Sequence, residues 1–325
     1  MNDNKSLDIL EAAYIPRIHK RSFITKLIQY RTLLLMCAPA MILTFVFSYI
    51  PMPGLYIAFT NFKFNLGILK SPFVGLSNFR FLWISGDLLR LTRNTVLYNV
   101  AFIFLGNFIN LLVAILLNEV RNKYFRKVSQ TIMLLPTFIS FVLVGLFVYS
   151  FLNFDYGFVN NMIRSSGGQP FSFYSIDAAK YWPAIIVFVN IWKGTGYGTI
   201  IYFAAIMGID SEMFEAAHID GASTIQRIWY IMLPNLSRTF IILVLLALGS
   251  IMRGNFDIFF NLVRNNALLL PMTDIIETYV WRAMMTNFNF ATGSAVSLFQ
   301  SVFGFIIVLV SNKLVKMYDP ETALF

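Results

Sequence analysis

The chain has 325 residues, of which 58% are hydrophobic and 13% are charged, and its formal net charge is +9. Soluble globular proteins contain about 45–50% apolar and about 25% charged residues, so this composition and the mean hydropathy of +0.68 indicate a membrane protein. The basic residues cluster at the ends of apolar runs and form no extended soluble face, so we expect no nucleic acid partner. Cys37 is the single cysteine, which excludes an intrachain disulfide and a cysteine metal cluster.

Six apolar stretches reach or approach the roughly 20 residues that a helix needs to cross the hydrocarbon layer. The first contains Pro51 and Pro53, which we place near its outer end, where a lost backbone hydrogen bond is easier to tolerate. The segment 262–293 is too polar to span and is expected to be an external or re-entrant excursion. The sequence therefore predicts an all-α membrane protein with six transmembrane helices near residues 32–58, 94–118, 130–152, 182–207, 236–260 and 294–315.

Lysine and arginine predict the orientation of these spans, because cytoplasmic loops carry an excess of both. Basic residues crowd the N-terminal tail, the tight loop 119–129 and the residues after the last span, and they outweigh scattered basic residues in the first outer loop. We therefore expect both termini and the loop 208–235 to be cytoplasmic. The acidic residues Asp3, Asp8 and Glu11 near the N-terminus and the late start of the first span do not resemble a cleaved signal peptide. The predicted organisation is a tail (1–30), a membrane domain (31–318) and a second tail (319–325).

Known catalytic and nucleotide-binding patterns are missing from the sequence. Neither G-x4-G-K-[ST] nor H-E-x-x-H occurs, and His19 and His218 have no acidic or cysteine partners at ligand spacing. We expect no enzyme activity, no metal site and no cofactor bound by this chain. Energy for any transport would come from a partner or from an ion gradient.

The loop 208–235 carries the most specific pattern in the chain, E-A-A-x3-G-x9-I-x-L-P. Seven specified positions match this pattern, from Glu215 to Pro234. An ordinary amphipathic surface loop would explain three isolated residues such as E-A-A, but not the full pattern.

The residues of this loop predict a helix, a turn and a second helix. Ser211 is placed as the N-cap of a short helix with Glu215 near its first turn, where negative charge is favourable. Gly221 is expected to end that helix, and a second segment is expected to start near Ala222. Pro234 is placed at the start of a new helix, where its missing N–H costs least.

Three charged residues fall where the bilayer should be. Lys193 lies midway along the fourth span, and continuing the fifth span as a helix would carry Arg253 and Asp257 into the membrane. Such charges cost at least about 2.5–3.5 kcal/mol each and usually face a bundle interior or a wet cavity. Arg253 and Asp257, at i and i+4, could instead neutralise each other, and Lys193 could pair across helices or extend toward the interface.

Aromatic residues and glycines surround Lys193. Trp192 and Tyr197 suit sugar rings, whose C–H faces stack on aromatic side chains, although any single aromatic residue in this chain could equally face lipid or the core. The glycines at 194, 196 and 198 are expected to allow close helix packing or bending.

Five sequence blocks together resemble the permeases of carbohydrate ABC importers, the maltose-type class, and within it the subgroup similar to the LplB and YteP proteins. The resemblance covers nearly the whole chain after about residue 30. The sequence departs from the family pattern after the fifth span, where residues 264–267 replace the glycine-rich G-G-P turn that is usual in the family. The blocks are Phe73–Phe79 (FVGLSNF), Leu134–Pro136 (LLP), Asn153–Gly157 (NFDYG), Trp192–Gly194 (WKG) and the Glu215–Pro234 loop.

The resemblance implies a MetI-like fold and a role as half of a heterodimeric pore in the bacterial cytoplasmic membrane. Its implied partners are a second permease subunit, two ABC ATPase subunits that use ATP and Mg, an extracellular or periplasmic solute-binding protein, and membrane lipid. The implied ATPase-coupling residues are Glu215, Ala216, Ala217, Asp220, Gly221, Ala222, Ile231, Leu233 and Pro234. Carry-over of the family's motifs, with the two aromatic residues noted above, gives a candidate sugar site of Thr137, Phe141, Asn190, Trp192, Lys193, Gly194, Tyr197, Ser250, Arg253, Gly254 and Asp257.

Cations at Lys193 and Arg253 would favour an acidic, uronic-acid-containing oligosaccharide, because two cations offset the desolvation of a carboxylate. A neutral oligosaccharide fits if Asp257 cancels Arg253. Other readings are an ion-gradient-driven secondary transporter, a membrane-embedded regulator without a pore, and an amino-acid or peptide permease. The first of these would need two related halves, which the sequence does not contain.

Overall fold

The protein, as a computed structural model, is described over residues 29–318. Apart from Gln29 and Tyr30, the predicted tails 1–30 and 319–325 lie outside the described residues. The chain divides after Gly54 into two compact units. The α-helices are α1 (Arg31–Thr44), α2 (Gly67–Lys70), α3 (Ser77–Ile84), α4 (Asp87–Glu119), α5 (Lys123–Phe138), α6 (Phe141–Leu152), α7 (Phe158–Ser165), α8 (Trp182–Met207), α9 (Ser211–Ile219), α10 (Thr224–Arg227), α11 (Leu233–Leu248), α12 (Phe256–Val263), α13 (Leu270–Thr273), α14 (Ile276–Trp281) and α15 (Phe290–Tyr318).

Five stretches among the described residues are long and apolar enough to cross a membrane, and the bent pair of α5 and α6 can form a sixth. The predicted all-α class is confirmed, and so is the count of six if that pair is one span. The first span contains π-helical (Phe45–Tyr49) and 3₁₀ (Met52–Phe59) turns on either side of Pro51. The five stretches are Arg31–Phe59, Asp87–Glu119, Ile176–Met207, Thr224–Leu248 and Phe290–Met317.

The third span is broken, and the prediction of one continuous helix over 130–152 was wrong. α5 and α6 meet at an angle of 95°. Ile139 and Ser140 between them have extended backbones, and the Ser140 hydroxyl accepts a hydrogen bond from the Leu143 N–H at 3.4 Å. A side-chain cap of this kind satisfies a helix-terminal N–H and favours a new helix start.

The fifth span also differs from the prediction of 236–260. It begins inside the loop, at Thr224, and ends at Leu248. Residues 249–255 are non-helical, and α12 then starts with the Asn255 side chain as its cap, at 3.4 Å from the Ile258 N–H. Two glycines, Gly249 and Gly254, lower the helix propensity of this segment. We call residues 249–255 the break segment.

The break segment changes the interpretation of Arg253 and Asp257. They are not at i and i+4 of one helix, because Arg253 lies in the break segment and Asp257 lies in the first turn of α12. The structure records no ion pair between them in its described part. Local neutralisation on one helix face, which the sequence left open, is therefore excluded.

The segment 262–293 forms short helices rather than a span, as its polarity predicts. Asp274 is fully buried there and accepts hydrogen bonds from Arg282, at 2.5 Å, and from the Thr278 hydroxyl, at 2.9 Å. The Arg90 guanidinium of α4 lies 3.8 Å from the same carboxylate. Two cations therefore neutralise a buried carboxylate and connect this segment to α4.

The helices α4 and α8 are the centre of the second unit. Gly196 of α8 lies against α5, where an added Cβ would be 2.0 Å from the Met133 carbonyl oxygen. Gly198 lies against the Asn110 amide of α4 in the same way. α8 is continuous through Gly194, Gly196 and Gly198, so these glycines do not interrupt the helix. Of the two expected effects, bending and close packing, the structure shows close packing, at Gly196 and Gly198.

Gly196→Ala should destabilise the protein, because its Cβ would meet fixed backbone and the two helices would have to separate. Overpacking of this kind costs about 1–3 kcal/mol. Gly194→Ala is the matched control: its Cβ meets no atom within 4 Å, and alanine gains up to about 1 kcal/mol of helix propensity. Thermal unfolding in detergent should show a lower midpoint for Gly196→Ala alone. An equal fall in both variants would contradict this packing.

Candidate functional site

Lys193 caps the end of α5 from the neighbouring helix α8. Its ammonium donates hydrogen bonds to the carbonyl oxygens of Pro136 at 3.0 Å, Thr137 at 2.9 Å and Ile139 at 2.5 Å. The last carbonyls of a helix lack intrahelical partners and carry the negative end of its dipole. The three protons of the ammonium are thus all used by backbone acceptors.

Two candidate sugar ligands belong to this cap. The Thr137 hydroxyl donates to the Lys193 carbonyl oxygen at 3.0 Å, and the Phe141 ring lies under the ammonium at 4.9 Å from its centroid. Lys193 is twelfth of the 26 residues of α8, close to the middle of the helix. The structure therefore shows pairing across helices, one of the alternatives that the sequence left open.

The break segment is held by three side chains from different helices. The Asn99 amide of α4 donates to the carbonyl oxygens of Ile251, at 2.8 Å, and Arg253, at 3.0 Å. The Gln300 amide of α15 donates to Met252 O at 2.5 Å. Backbone groups that a continuous helix would pair internally are satisfied here by side chains, as intramembrane backbone requires.

Glu277 of α14 completes this network. Its Oε1 accepts from the Gly254 N–H at 2.7 Å and from the Gln300 amide at 2.6 Å. Gly254 permits the close approach, because a Cβ there would lie 2.4 Å from Ile275 Cδ1 and 2.5 Å from Glu277 Oε2. Gly254 therefore has a structural role in the break segment.

The three polar candidate residues in the break segment and at the start of α12 take no part in this network through their side-chain hydrogen bonds. Ser250, Arg253 and Asp257 are exposed in the isolated chain. The Arg253 guanidinium has no hydrogen bond or ion pair within residues 29–318, and the Ser250 hydroxyl donates only to the Ala247 carbonyl, at 3.0 Å. The network thus fixes the backbone, and the Arg253 guanidinium interacts with the Glu277 carboxylate of that network through its charge alone, without a hydrogen bond.

The remaining candidates line two different spaces. Asn190 and Gly194 border a small polar cavity between α4 and α8, with Asn107 and Asn110 opposite. Its volume is about 140 Å³, which is room for a few water molecules at about 30 Å³ each. Trp192 instead lines an apolar groove of about 600 Å³ between α6 and α8, and Tyr197 is 65% exposed.

One hydrophobic cluster borders both the Lys193 cap and the break segment. Phe141 and Ile139 pack against it from one side, and it contains Phe259 and Ile258, which follow Asp257. Thr137, Phe141 and Lys193 are thus brought together, whereas Trp192, Tyr197 and Asn190 face other surroundings. The described residues record no direct contact between Lys193 and Arg253.

Sequence reasoning missed Asn99, Glu277 and Gln300, which hold the break segment. A usable signal for Asn99 was present, because polar residues inside an apolar span need partners and α4 contains several asparagines. Glu277 and Gln300 lie 23 and 48 residues from their backbone partners. No local pattern connects positions so far apart.

The motif helix α9 forms as predicted, with a different cap. Asp210, rather than Ser211, is the N-cap, and its carboxylate accepts from the Glu212 N–H at 3.0 Å. Gly221 ends the helix with φ of +74°, a conformation that glycine adopts without strain. Glu215, Ala216 and Asp220 are exposed, and Ala217 and Ala222 are half-buried.

The second half of the motif is built into the fifth span. Ser223 and Gln226 form a reciprocal cap at the start of α10, so the segment begins close to the predicted Ala222. Ile231 is only 9% exposed and Leu233 is half-buried. Pro234 is the second residue of α11, as predicted for a proline at a helix start. The π-helical turn Ile228–Met232 leads directly into α11, so this start lies within one continuous span.

The helical bundle, its broken spans and the motif loop define a multi-pass membrane permease of the ABC transport class. Residues 106–323 match the model of the family described as binding-protein-dependent transport system inner membrane component, and the chain belongs to this family. It is 35% identical over 300 residues to Protein LplB of Bacillus subtilis (strain 168), with 92% of this chain and 93% of that protein covered.

Two further similarities agree with this assignment. The polygalacturonan/rhamnogalacturonan transport system permease protein YteP of Bacillus subtilis (strain 168) is 34% identical, with 96% of each chain covered. A crystal structure of a bacterial ABC transporter involved in the import of the acidic polysaccharide alginate matches with a TM-score of 0.81 and 31% identity, covering 91% of this chain and 98% of that chain. The predicted permease resemblance is confirmed, and its role is in transport rather than catalysis.

Proposed function

We propose that this chain is one of two transmembrane subunits of an ATP-driven importer of acidic oligosaccharides. Its domains are a cytoplasmic tail (1–30), a permease domain (31–318) and a short cytoplasmic tail (319–325). The permease domain spans the bacterial cytoplasmic membrane, and both termini lie on its cytoplasmic side. A solute-binding protein delivers the sugar from outside, and two ABC ATPase subunits supply ATP hydrolysis with Mg. The permease chain itself binds no cofactor.

The surface of α9 carries the coupling part of the proposal. Glu215 and Ala216 are exposed, and Ile219 is 86% exposed on a polar loop. An isoleucine so exposed beside small residues favours a protein partner at this position. Glu215, Ala216, Ala217, Asp220, Gly221 and Ala222 form the proposed docking surface for the ATPase, and Ile231, Leu233 and Pro234 anchor it to the fifth span.

The break segment carries the substrate part of the proposal. Arg253 presents a guanidinium that makes no hydrogen bond or ion pair within residues 29–318, from a backbone that is held by three helices. A guanidinium binds a carboxylate through two parallel hydrogen bonds. The relative named for polygalacturonan/rhamnogalacturonan transport and the structure named for alginate import favour an acidic sugar. Ser250, Gly254 and Asp257 complete this side. We assign Asn190, Gly194 and Tyr197 to the opposite side of the passage, and Trp192 to the separate groove between α6 and α8. Thr137, Phe141 and Lys193 shape it by capping α5.

Glu215→Ala tests coupling directly. The chain is co-expressed with the second permease and the ATPase of its operon, and ATPase activity is measured in lipid with and without sugar-loaded binding protein. Stimulation should fall to the unstimulated rate in Glu215→Ala, because the docking contact is lost. The matched control is Glu212→Ala, an exposed acid on the same helix outside the motif.

Two outcomes of this experiment would contradict the proposal. Equal loss in Glu212→Ala and Glu215→Ala would mean that the motif has no special role. Assembly without any ATPase, together with uptake that collapses with the ion gradient, would favour a secondary transporter. The amount of ATPase that co-purifies with each variant distinguishes two causes of a lost stimulation. A variant that fails to assemble lacks the ATPase, whereas a variant that loses only coupling retains it.

Arg253→Gln should reduce uptake of a uronic-acid oligosaccharide by about tenfold or more, because a charge-assisted carboxylate contact of about 1.5–3 kcal/mol is lost. Uptake of a neutral oligosaccharide of equal length should change little. Asp257→Asn is the opposing variant: removing a nearby negative charge should favour the uronide. Competition assays with both sugars measure the ratio. An unchanged ratio in Arg253→Gln would favour a neutral substrate while leaving the importer assignment intact.

A further inference from the structure

A second cavity lies at the opposite end of α8 from Trp182, beside the motif helix. It has a volume of about 760 Å³ and is bordered by the end of α4, the start of α5, the end of α8, α9, α10 and the π-helical turn that contains Met232. We call it the basic cavity. Its charged lining residues are Glu119, Arg121, Lys123, Arg126 and Arg227.

Positive charge exceeds negative charge in the basic cavity. Arg227 lies 3.5 Å from the Glu119 carboxylate and donates to the Thr224 hydroxyl at 3.1 Å, and its Nε is buried without a partner. Within residues 29–318, Arg121 and Lys123 have no ion pair. One carboxylate therefore faces four cations, and the cavity is suited to an anion.

Arg126 is fixed above an aromatic ring. Its guanidinium carbon lies 5.5 Å from the centroid of Phe203, so the side chain is oriented by a cation–π contact. Apolar residues line the rest of the cavity, among them Ile206, Phe214 and Met232. The lining therefore offers a cationic part and an apolar part side by side, which fits an amphiphilic anion better than a free inorganic ion.

Exposed aromatic residues near the basic cavity point to the membrane interface. Tyr124 is 85% exposed in the first turn of α5, and Trp229 and Tyr230 are 65% and 78% exposed just after Arg227. Tryptophan and tyrosine are enriched where a protein meets the lipid headgroups. With the orientation proposed above, this end of the spans lies at the cytoplasmic leaflet, which carries anionic lipid.

From these observations we propose that the basic cavity binds the phosphate headgroup of an anionic phospholipid from the cytoplasmic leaflet. The phosphate lies among Arg121, Lys123 and Arg126, and the glycerol and first methylenes lie against the apolar lining. Ser211 and Phe214 of α9 also border the cavity. A bound headgroup therefore connects the motif helix to the ends of α4 and α5 and stabilises their arrangement.

The test uses the full complex of both permeases and the ATPase in nanodiscs of phosphatidylcholine with or without phosphatidylglycerol. Phosphatidylglycerol should raise the midpoint of thermal unfolding of the wild-type complex. Arg121→Gln with Lys123→Gln should weaken phosphatidylglycerol binding, titrated into detergent-solubilised complex, by about tenfold or more. The matched control is Lys313→Gln with Lys316→Gln, which removes the same charge from exposed positions at the end of α15.

Three results would overturn the proposal. Equal weakening in the two double variants would show a general charge effect. Stabilisation by inorganic phosphate alone would assign the cavity to a free anion. Loss of co-purified ATPase from Arg121→Gln with Lys123→Gln, at an unchanged lipid response, would assign the cavity to a protein partner. These outcomes leave the sugar assignment untouched, because each is measured without sugar.

Discussion

Lys193→Met should abolish uptake of uronic-acid and neutral oligosaccharides alike and lower the midpoint of thermal unfolding. The three carbonyl oxygens at the end of α5 lose their donor, at about 1–3 kcal/mol for each group left without a partner. The lower insertion cost of an uncharged side chain, about 2.5–3.5 kcal/mol, offsets part of this loss. We expect the loss to exceed the gain, because three acceptors depend on one ammonium.

Lys193→Arg separates the capping role from a role in binding sugar. A planar guanidinium keeps the charge but directs its N–H groups outward in a fork, whereas the three carbonyls converge on one point. Arginine should therefore lower stability and uptake of both sugars. If Lys193 bound the substrate carboxylate instead, Lys193→Arg would retain the preference for uronides and Lys193→Met would lose that preference without loss of stability. Uptake of both sugars and thermal unfolding, measured on the same preparations, decide between the two.

Glu277→Ala should reduce uptake by about tenfold or more and raise the apparent KM for the uronide. The Gly254 N–H and the Gln300 amide lose their shared acceptor, and each polar group left without a partner costs about 1–3 kcal/mol. The break segment then loses one of its three side-chain contacts, so Arg253 is no longer held in one position. Measurement of uptake against sugar concentration gives both KM and maximal rate.

Glu277→Gln is the matched variant for this prediction. It keeps an acceptor oxygen of the same size and removes only the charge, so it should retain most of the uptake. A purely electrostatic role for Glu277 would instead give equal defects in the two variants. A normal KM in Glu277→Ala would show that the network does not position Arg253.

Much of the fold followed from local sequence, and the failures share one physical cause. The class, the motif helix and the fourth and sixth spans follow from apolar length and local capping. The breaks after Phe138 and Leu248 do not, because apolar residues continue on both sides of each break. Side chains from distant helices bond the freed backbone groups, Lys193 at the first break and Asn99 at the second, so tertiary contacts override the local pattern.

The candidate site divides in the same way. The cost of an intramembrane charge identified Lys193 as an unusual residue, and the family resemblance assigned Arg253 to the same proposed site. Their environments could not be predicted, because the carbonyl partners of Lys193 lie 54 to 57 residues away. Spacing within one helix therefore identified the unusual residues but not their partners.

The cap on α5 also limits how the permease can move. α8 runs without interruption from Lys193 to Met207, about 21 Å at a rise of about 1.5 Å per residue, and only three residues separate it from α9. If α9 binds an ATPase as proposed, α8 is the element that connects α9 to the bend at Ile139. The Lys193 ammonium contacts the last carbonyls of α5 on one side of this bend and the Phe141 ring of α6 on the other. The position of the bend in the third span is therefore set by a side chain from another helix.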